Sequence, residues 1–149
     1  MSLSAEYWYR TDEAVRAASN SRSLATDADV EEIVELVRIG WMTDAAIFSD
    51  EGNQLIFGSA GNGRAAACFS GADGTYFTQG DGPDGASSYF QTDFPPNCQV
   101  AAGLLRDVLA EFLHTRRRSD KVAWQTVDTP ELTDDERQEF GSVFSSWPE

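Results

Sequence analysis

Few residues in this sequence could perform acid–base, nucleophilic or metal chemistry. His114 is the single histidine of the chain. Any catalytic triad, histidine general base or histidine-containing metal site would therefore have to use it. His114 lies at the predicted end of a helix, where interaction with the helix dipole accounts for its position, and the same interaction favours the positive charges of Arg116, Arg117 and Arg118, which follow that end. We therefore expect no catalytic residue, no bound metal and no cofactor.

The two cysteines, Cys68 and Cys98, lack the CxxC spacing of zinc and redox sites. Isolated thiols in a reducing compartment are more often small buried residues than a disulfide. The histidine and cysteine elements that zinc deaminases require are also missing. A hydrolase that uses two carboxylates stays open as an enzyme alternative, although no spacing of acids in the sequence supports it.

A glycine-rich segment at residues 58–63, GSAGNG, superficially resembles a phosphate-binding loop. It lacks the Lys-Ser/Thr pair of a P-loop and leads into an apolar strand instead of a helix. Its Asn62-Gly63 pair is typical of a two-residue hairpin turn. The segment therefore predicts a turn between strands.

Acidic residues dominate the composition of the chain. It has 25 acidic and 11 basic side chains and a formal net charge of -14. Such a charge repels nucleic acid and anionic lipid, and it attracts basic proteins. We expect a basic protein partner, with no binding to nucleic acid or membranes.

We expect that partner to contact acidic residues on exposed loops. The predicted partner-binding residues, which lie at turns, are Asp50, Glu51, Asp81, Asp84 and Asp93. An alternative surface is the acidic segment at residues 128–139, which would otherwise be the solvated face of a short helix.

Two helices and several strands must position these loops. Thr26 and Asp27 offer an N-cap for a first helix that ends at Gly40, and a second helix covers residues 100–114. Residues 19–25 are predicted to be a loop, and residues 80–85 an exposed loop without regular structure. The predicted strands cover residues 3–9, 45–49, 54–58, 64–70, 75–79, 87–92 and 121–126. This pattern predicts an α+β fold, a twisted antiparallel sheet of about six strands with two main helices packed against it.

The chain carries no signal of export or membrane insertion. Its N-terminus lacks the basic and apolar regions of a signal peptide, and no apolar run reaches the roughly 20 residues of a membrane span. We expect a cytoplasmic protein. The composition does not change along the sequence, so residues 1–149 are expected to form a single domain.

Four short stretches together resemble a known protein family. They are LIFG at residues 55–58, GNGRAA at 61–66, DGTY at 73–76 and VAWQ at 122–125, with a proline-containing loop before the second helix. Their order over residues 26–126 is similar to that in the Imm1-type immunity proteins of bacterial polymorphic toxin systems.

The resemblance implies a non-catalytic protein that binds and neutralises a cognate toxin, often a nucleic-acid deaminase, inside the producing cell. An acidic protein could cover the basic substrate groove of a deaminase or nuclease. The alternative from another class is an acidic protein-binding scaffold or secretion-chaperone-like module that inhibits no toxin. The sequence leaves the oligomeric state open.

Overall fold

The computed structural model describes residues 3–10, 18–82, 87–89 and 92–126. The acidic segment at residues 128–139 and Asp84 lie outside these ranges. The described elements, in chain order, are β1 (Leu3–Tyr9), β2 (Ala18–Leu24), α1 (Asp27–Arg38), β3 (Met42–Phe48), β4 (Gln54–Gly61), β5 (Arg64–Gly71), β6 (Gly74–Gln79), β7 (Ser87–Tyr89), β8 (Thr92–Phe94), β9 (Val100–Ala101), α2 (Ala102–Thr115) and β10 (Ala123–Gln125).

The main sheet has the strand order β10-β6-β5-β4-β3-β1-β2, with β9 pairing with β5, and all of its pairs are antiparallel. The predicted α+β class is confirmed, with more strands than the six expected. Asn62 and Gly63 both have positive φ in the turn between β4 and β5, which confirms the predicted hairpin.

Both helices cover one face of the sheet. Val30, Ile33 and Val37 of α1 are buried there with Leu109 and Phe112 of α2. Thr26 caps α1 in a capping box with Asp29, and Gly40 follows the helix at a φ of 80°, as the sequence predicts. The second helix begins at Ala102 because residues 100–101 instead pair with the start of β5.

A short hairpin packs on the opposite face. Tyr89 of β7 and Phe94 of β8 cover a smaller buried cluster that includes Ile56, Cys68 and Phe77. Strands β3 to β5 are therefore buried on both faces, which is why they read as continuous apolar runs.

Two predictions about local structure are wrong. Residues 19–25 were expected to be a loop, yet Ala18–Leu24 is the edge strand β2, paired over its whole length with β1. Because β2 is rich in serine, its sequence lacks the alternation of apolar and polar residues that indicates a strand. Only its pairing with β1 defines it as one. Residues 87–92 were expected to be one strand of the meander, but β7 and β8 form a separate two-stranded sheet.

Candidate partner-binding surface

Asp50 and Glu51 lie in a tight turn between β3 and β4. The turn is closed by hydrogen bonds from the Ser49 amide to the Asn53 carbonyl (2.9 Å) and from the Gly52 amide to the Ser49 carbonyl (3.1 Å). Both acidic residues are exposed, and neither forms an ion pair with any residue in the described ranges. The turn therefore presents two exposed carboxylates that form no ion pair with the described residues.

The side chain of Asn53 joins this turn to the end of α2. Its Nδ2 donates to the Arg116 carbonyl at 2.9 Å. Glu51 and Arg116 also line one shallow depression. The acidic turn and the end of α2 thus form one end of the molecule.

Asp81 lies at the opposite end of the sheet. It pairs with Gln99 in a β-bridge, so the predicted irregular loop is ordered at this position. Its carboxylate is 3.1 Å from the Arg64 guanidinium, which also donates to the Gln99 carbonyl at 2.9 Å. Strand β5 has 8 residues and separates the two ends by roughly 23 Å.

The structure thus does not gather the predicted partner-binding residues into one patch. Asp50 and Glu51 are together, Asp81 is at the other end, and Asp93 is exposed on β8 over the second face of the sheet. Asp84 lies outside the described residues. Their role in binding a partner stays a prediction.

Many other acidic charges are offset inside the molecule. Helix α1 carries five acidic residues, and Asp29 accepts the backbone hydrogen bonds of the capping box. Three others pair with arginines, Glu31 with Arg106 (3.6 Å), Glu32 with Arg22 (2.9 Å) and Glu35 with Arg38, and the Asp27 carboxylate is 2.7 Å from His114 Nε2. Exposed pairs of this kind stabilise the fold little, but they reduce the negative electrostatic field that the acidic residues of α1 produce.

The three arginines after α2, which we call the arginine patch (Arg116, Arg117 and Arg118), lie beside the acidic turn. Arg116 has a left-handed backbone, and its guanidinium donates to the Phe112 and Leu113 carbonyls at the helix end. This contact confirms the dipole interpretation for Arg116 alone. The patch could not be recognised as a surface from the sequence, because positive charge at the C-terminal end of a helix is already favoured by the helix dipole.

Both cysteine thiols are buried in the fold. Burial raises the pKa of the Cys68 thiol to about 11 and also raises the pKa of Cys98, so both stay protonated at neutral pH. No three His, Cys, Asp or Glu side chains in the described part of the chain come together as metal ligands. No helix in the same ranges is long and apolar enough to cross a bilayer.

Comparison with protein families identifies the chain. The family model of immunity protein Imm1 matches residues 18–126, well over half of the sequence. The chain belongs to the Imm1 family. No curated protein matches it.

In this Imm1 protein the matched region begins with β2 and ends just after β10. It includes both helices, the acidic turn and the arginine patch, whereas β1 and residues 127–149 lie outside it. Family membership indicates an immunity protein directed against a toxin, and this role is a non-catalytic one.

Proposed function

We propose that this Imm1 protein binds a cognate basic toxin and neutralises it by covering the groove that holds the toxin's nucleic-acid substrate. The family match carries the toxin-binding part of the proposal. The net charge of -14 supports inhibition by covering this groove, because a deaminase or nuclease holds phosphates with Lys and Arg. An acidic protein can occupy such a groove in place of nucleic acid.

The acidic turn with Asp50 and Glu51 is our preferred contact for the toxin. Its carboxylates have no intramolecular ion pair in the described ranges, so a partner cation would not have to compete with one. Asp81 is a weaker candidate because Arg64 already offsets its charge. Asp84 and Asp93 stay predicted contacts of the toxin.

We place this encounter in the cytoplasm of the bacterium that produces the toxin, where an unneutralised enzyme would attack the cell's own nucleic acid. Protection then needs one folded immunity protein for each toxin molecule and no turnover. This requirement is compatible with a chain whose thiols are buried and whose histidine is hydrogen-bonded to Asp27.

We expect the gene for the cognate toxin to lie beside the gene for this chain, and co-expression with that toxin tests the proposal. We expect cells that express the toxin domain alone to stop growing, and cells that also express this chain to grow normally and to yield a complex on purification. Growth arrest despite abundant folded immunity protein would contradict it. Growth arrest is the result expected of an acidic scaffold without inhibitory activity.

A further inference from the structure

The arginine patch is the only run of three basic residues in a chain of net charge -14. Two of its members have structural contacts. Arg116 caps α2. The Arg118 guanidinium lies 3.6 Å from the centre of the Tyr76 ring and 3.5 Å from an Asp73 carboxylate oxygen.

Arg117 has no comparable structural role. Its side chain is exposed and forms no hydrogen bond or ion pair with any residue in the described ranges. Its backbone amide alone is held, by the Thr115 hydroxyl at 3.2 Å. Neither helix capping nor packing explains a cation at this position.

A cavity of about 710 Å³ is lined by all three arginines of the patch and by the acidic residues Asp73 and Asp120. Its apolar part is formed by Phe69, Ala72, Val122 and Trp124. The indole of Trp124 is fixed by a hydrogen bond from Nε1 to the Ser119 carbonyl at 2.8 Å. A guanidinium next to a rigid apolar wall is suited to an acidic side chain that is flanked by apolar groups.

We propose that the arginine patch binds an acidic side chain of the protein partner, with Arg117 as the contacting cation. This inference rests on the proposed function, and it adds a second, oppositely charged contact beside Asp50 and Glu51. The acidic turn and the patch are joined through the Asn53–Arg116 hydrogen bond, so one docked partner meets both signs of charge. Such an arrangement fixes the orientation of the partner, which a uniformly acidic surface does not do.

The test compares two charge reversals in the full-length protein, Arg117→Glu and Arg10→Glu, for binding to the neighbouring toxin domain. Arg10 is also exposed and has no ion pair in the described ranges, but it lies by the opposite end of the sheet. Each substitution makes the protein more acidic by the same amount. Long-range attraction to a basic toxin should therefore rise equally in both.

We expect Arg117→Glu to raise the Kd about tenfold or more, through faster dissociation, because a desolvated charge pair becomes a repulsive one. Arg10→Glu should leave the Kd unchanged or lower it, and Arg117→Lys should restore most of the binding. Unchanged thermal midpoints would show that all three variants are folded.

Several results would overturn the inference. If Arg117→Glu binds as tightly as Arg10→Glu, the patch is not part of the interface, whether because residues 127–149 of the same chain cover it or because it is free. Loss of a homodimer in Arg117→Glu would assign the patch to a second copy. Binding of RNA that Arg117→Glu abolishes would assign it to nucleic acid. Absence of toxin binding by the wild-type protein would instead refute the proposed function itself.

Discussion

Thr26 and Asp29 hold the start of α1 through reciprocal hydrogen bonds. The Asp29 carboxylate accepts from the amides of Ala25 (2.8 Å) and Thr26 (3.1 Å), and the Thr26 hydroxyl accepts from the Asp29 amide (3.2 Å). These contacts, above all that with the Ala25 amide, lower the pKa of Asp29 from its ordinary value of 3.8. The Thr26 cap could be predicted because capping depends on neighbours in sequence.

This lowered pKa makes a prediction about Asp29→Asn. Since the unfolded state binds the Asp29 proton at a higher pH than the folded state, the stabilisation is fully present above pH 3.8 and is lost as the pH falls through the folded-state pKa. The variant should be less stable than wild type at pH 7, and the difference should shrink below pH 3.8. Urea unfolding at several pH values measures it, with Asp50→Asn as the control that changes little. A difference that does not vary with pH would refute this explanation.

The main strands could be predicted from the sequence, but the hairpin that packs on Gly58 could not. The main strands were predictable because they are apolar runs bounded by turn residues. The docking of β7 and β8 was not, since it depends on Tyr89 lying directly on Gly58 of β4. A Cβ at Gly58 would be 2.1 Å from Tyr89 Cδ1. Strand β2 was missed for a related reason, because its partner β1 rather than its own pattern defines it.

We predict that Gly58→Ala destabilises the protein by about 1–3 kcal/mol, because the added methyl group must displace the Tyr89 ring and with it the hairpin. The matched control is Gly103→Ala in α2, where nothing lies within 4 Å of the new Cβ. That substitution should be neutral or stabilising by up to about 1 kcal/mol. Chemical denaturation measures both. The cost of Gly58→Ala should largely disappear in a Tyr89→Ala background, and equal costs in the two backgrounds would contradict the contact.

At the scale of the whole molecule, charge is distributed unevenly. The sequence correctly indicated an acidic protein of the Imm1 family. It could not show which acidic residues have intramolecular partners, since most of those pairs join distant segments, as Asp27 and His114 do. That Asp50 and Glu51 form no ion pair with the described residues became evident only from the fold.

We predict the consequences for association from three double substitutions that each reverse two charges. Asp50→Lys with Glu51→Lys should slow association with the toxin about tenfold at low salt, because rim charges act mainly on encounter. Asp81→Lys with Asp84→Lys should slow it less, and Asp134→Lys with Asp135→Lys least. Stopped-flow or surface-binding kinetics at increasing salt measure the effect, which should shrink as salt screens the charges. If the last pair causes the largest loss, the interface lies in the C-terminal segment.

Titration of toxin activity with this protein tests the central claim most directly. The purified toxin domain encoded by the neighbouring gene is assayed on its nucleic-acid substrate while the immunity protein is added in increasing molar ratio. We predict a linear fall to complete inhibition near one equivalent, with substrate binding lost in parallel. Full activity at a large excess of folded immunity protein, or inhibition that leaves substrate binding intact, would contradict the account.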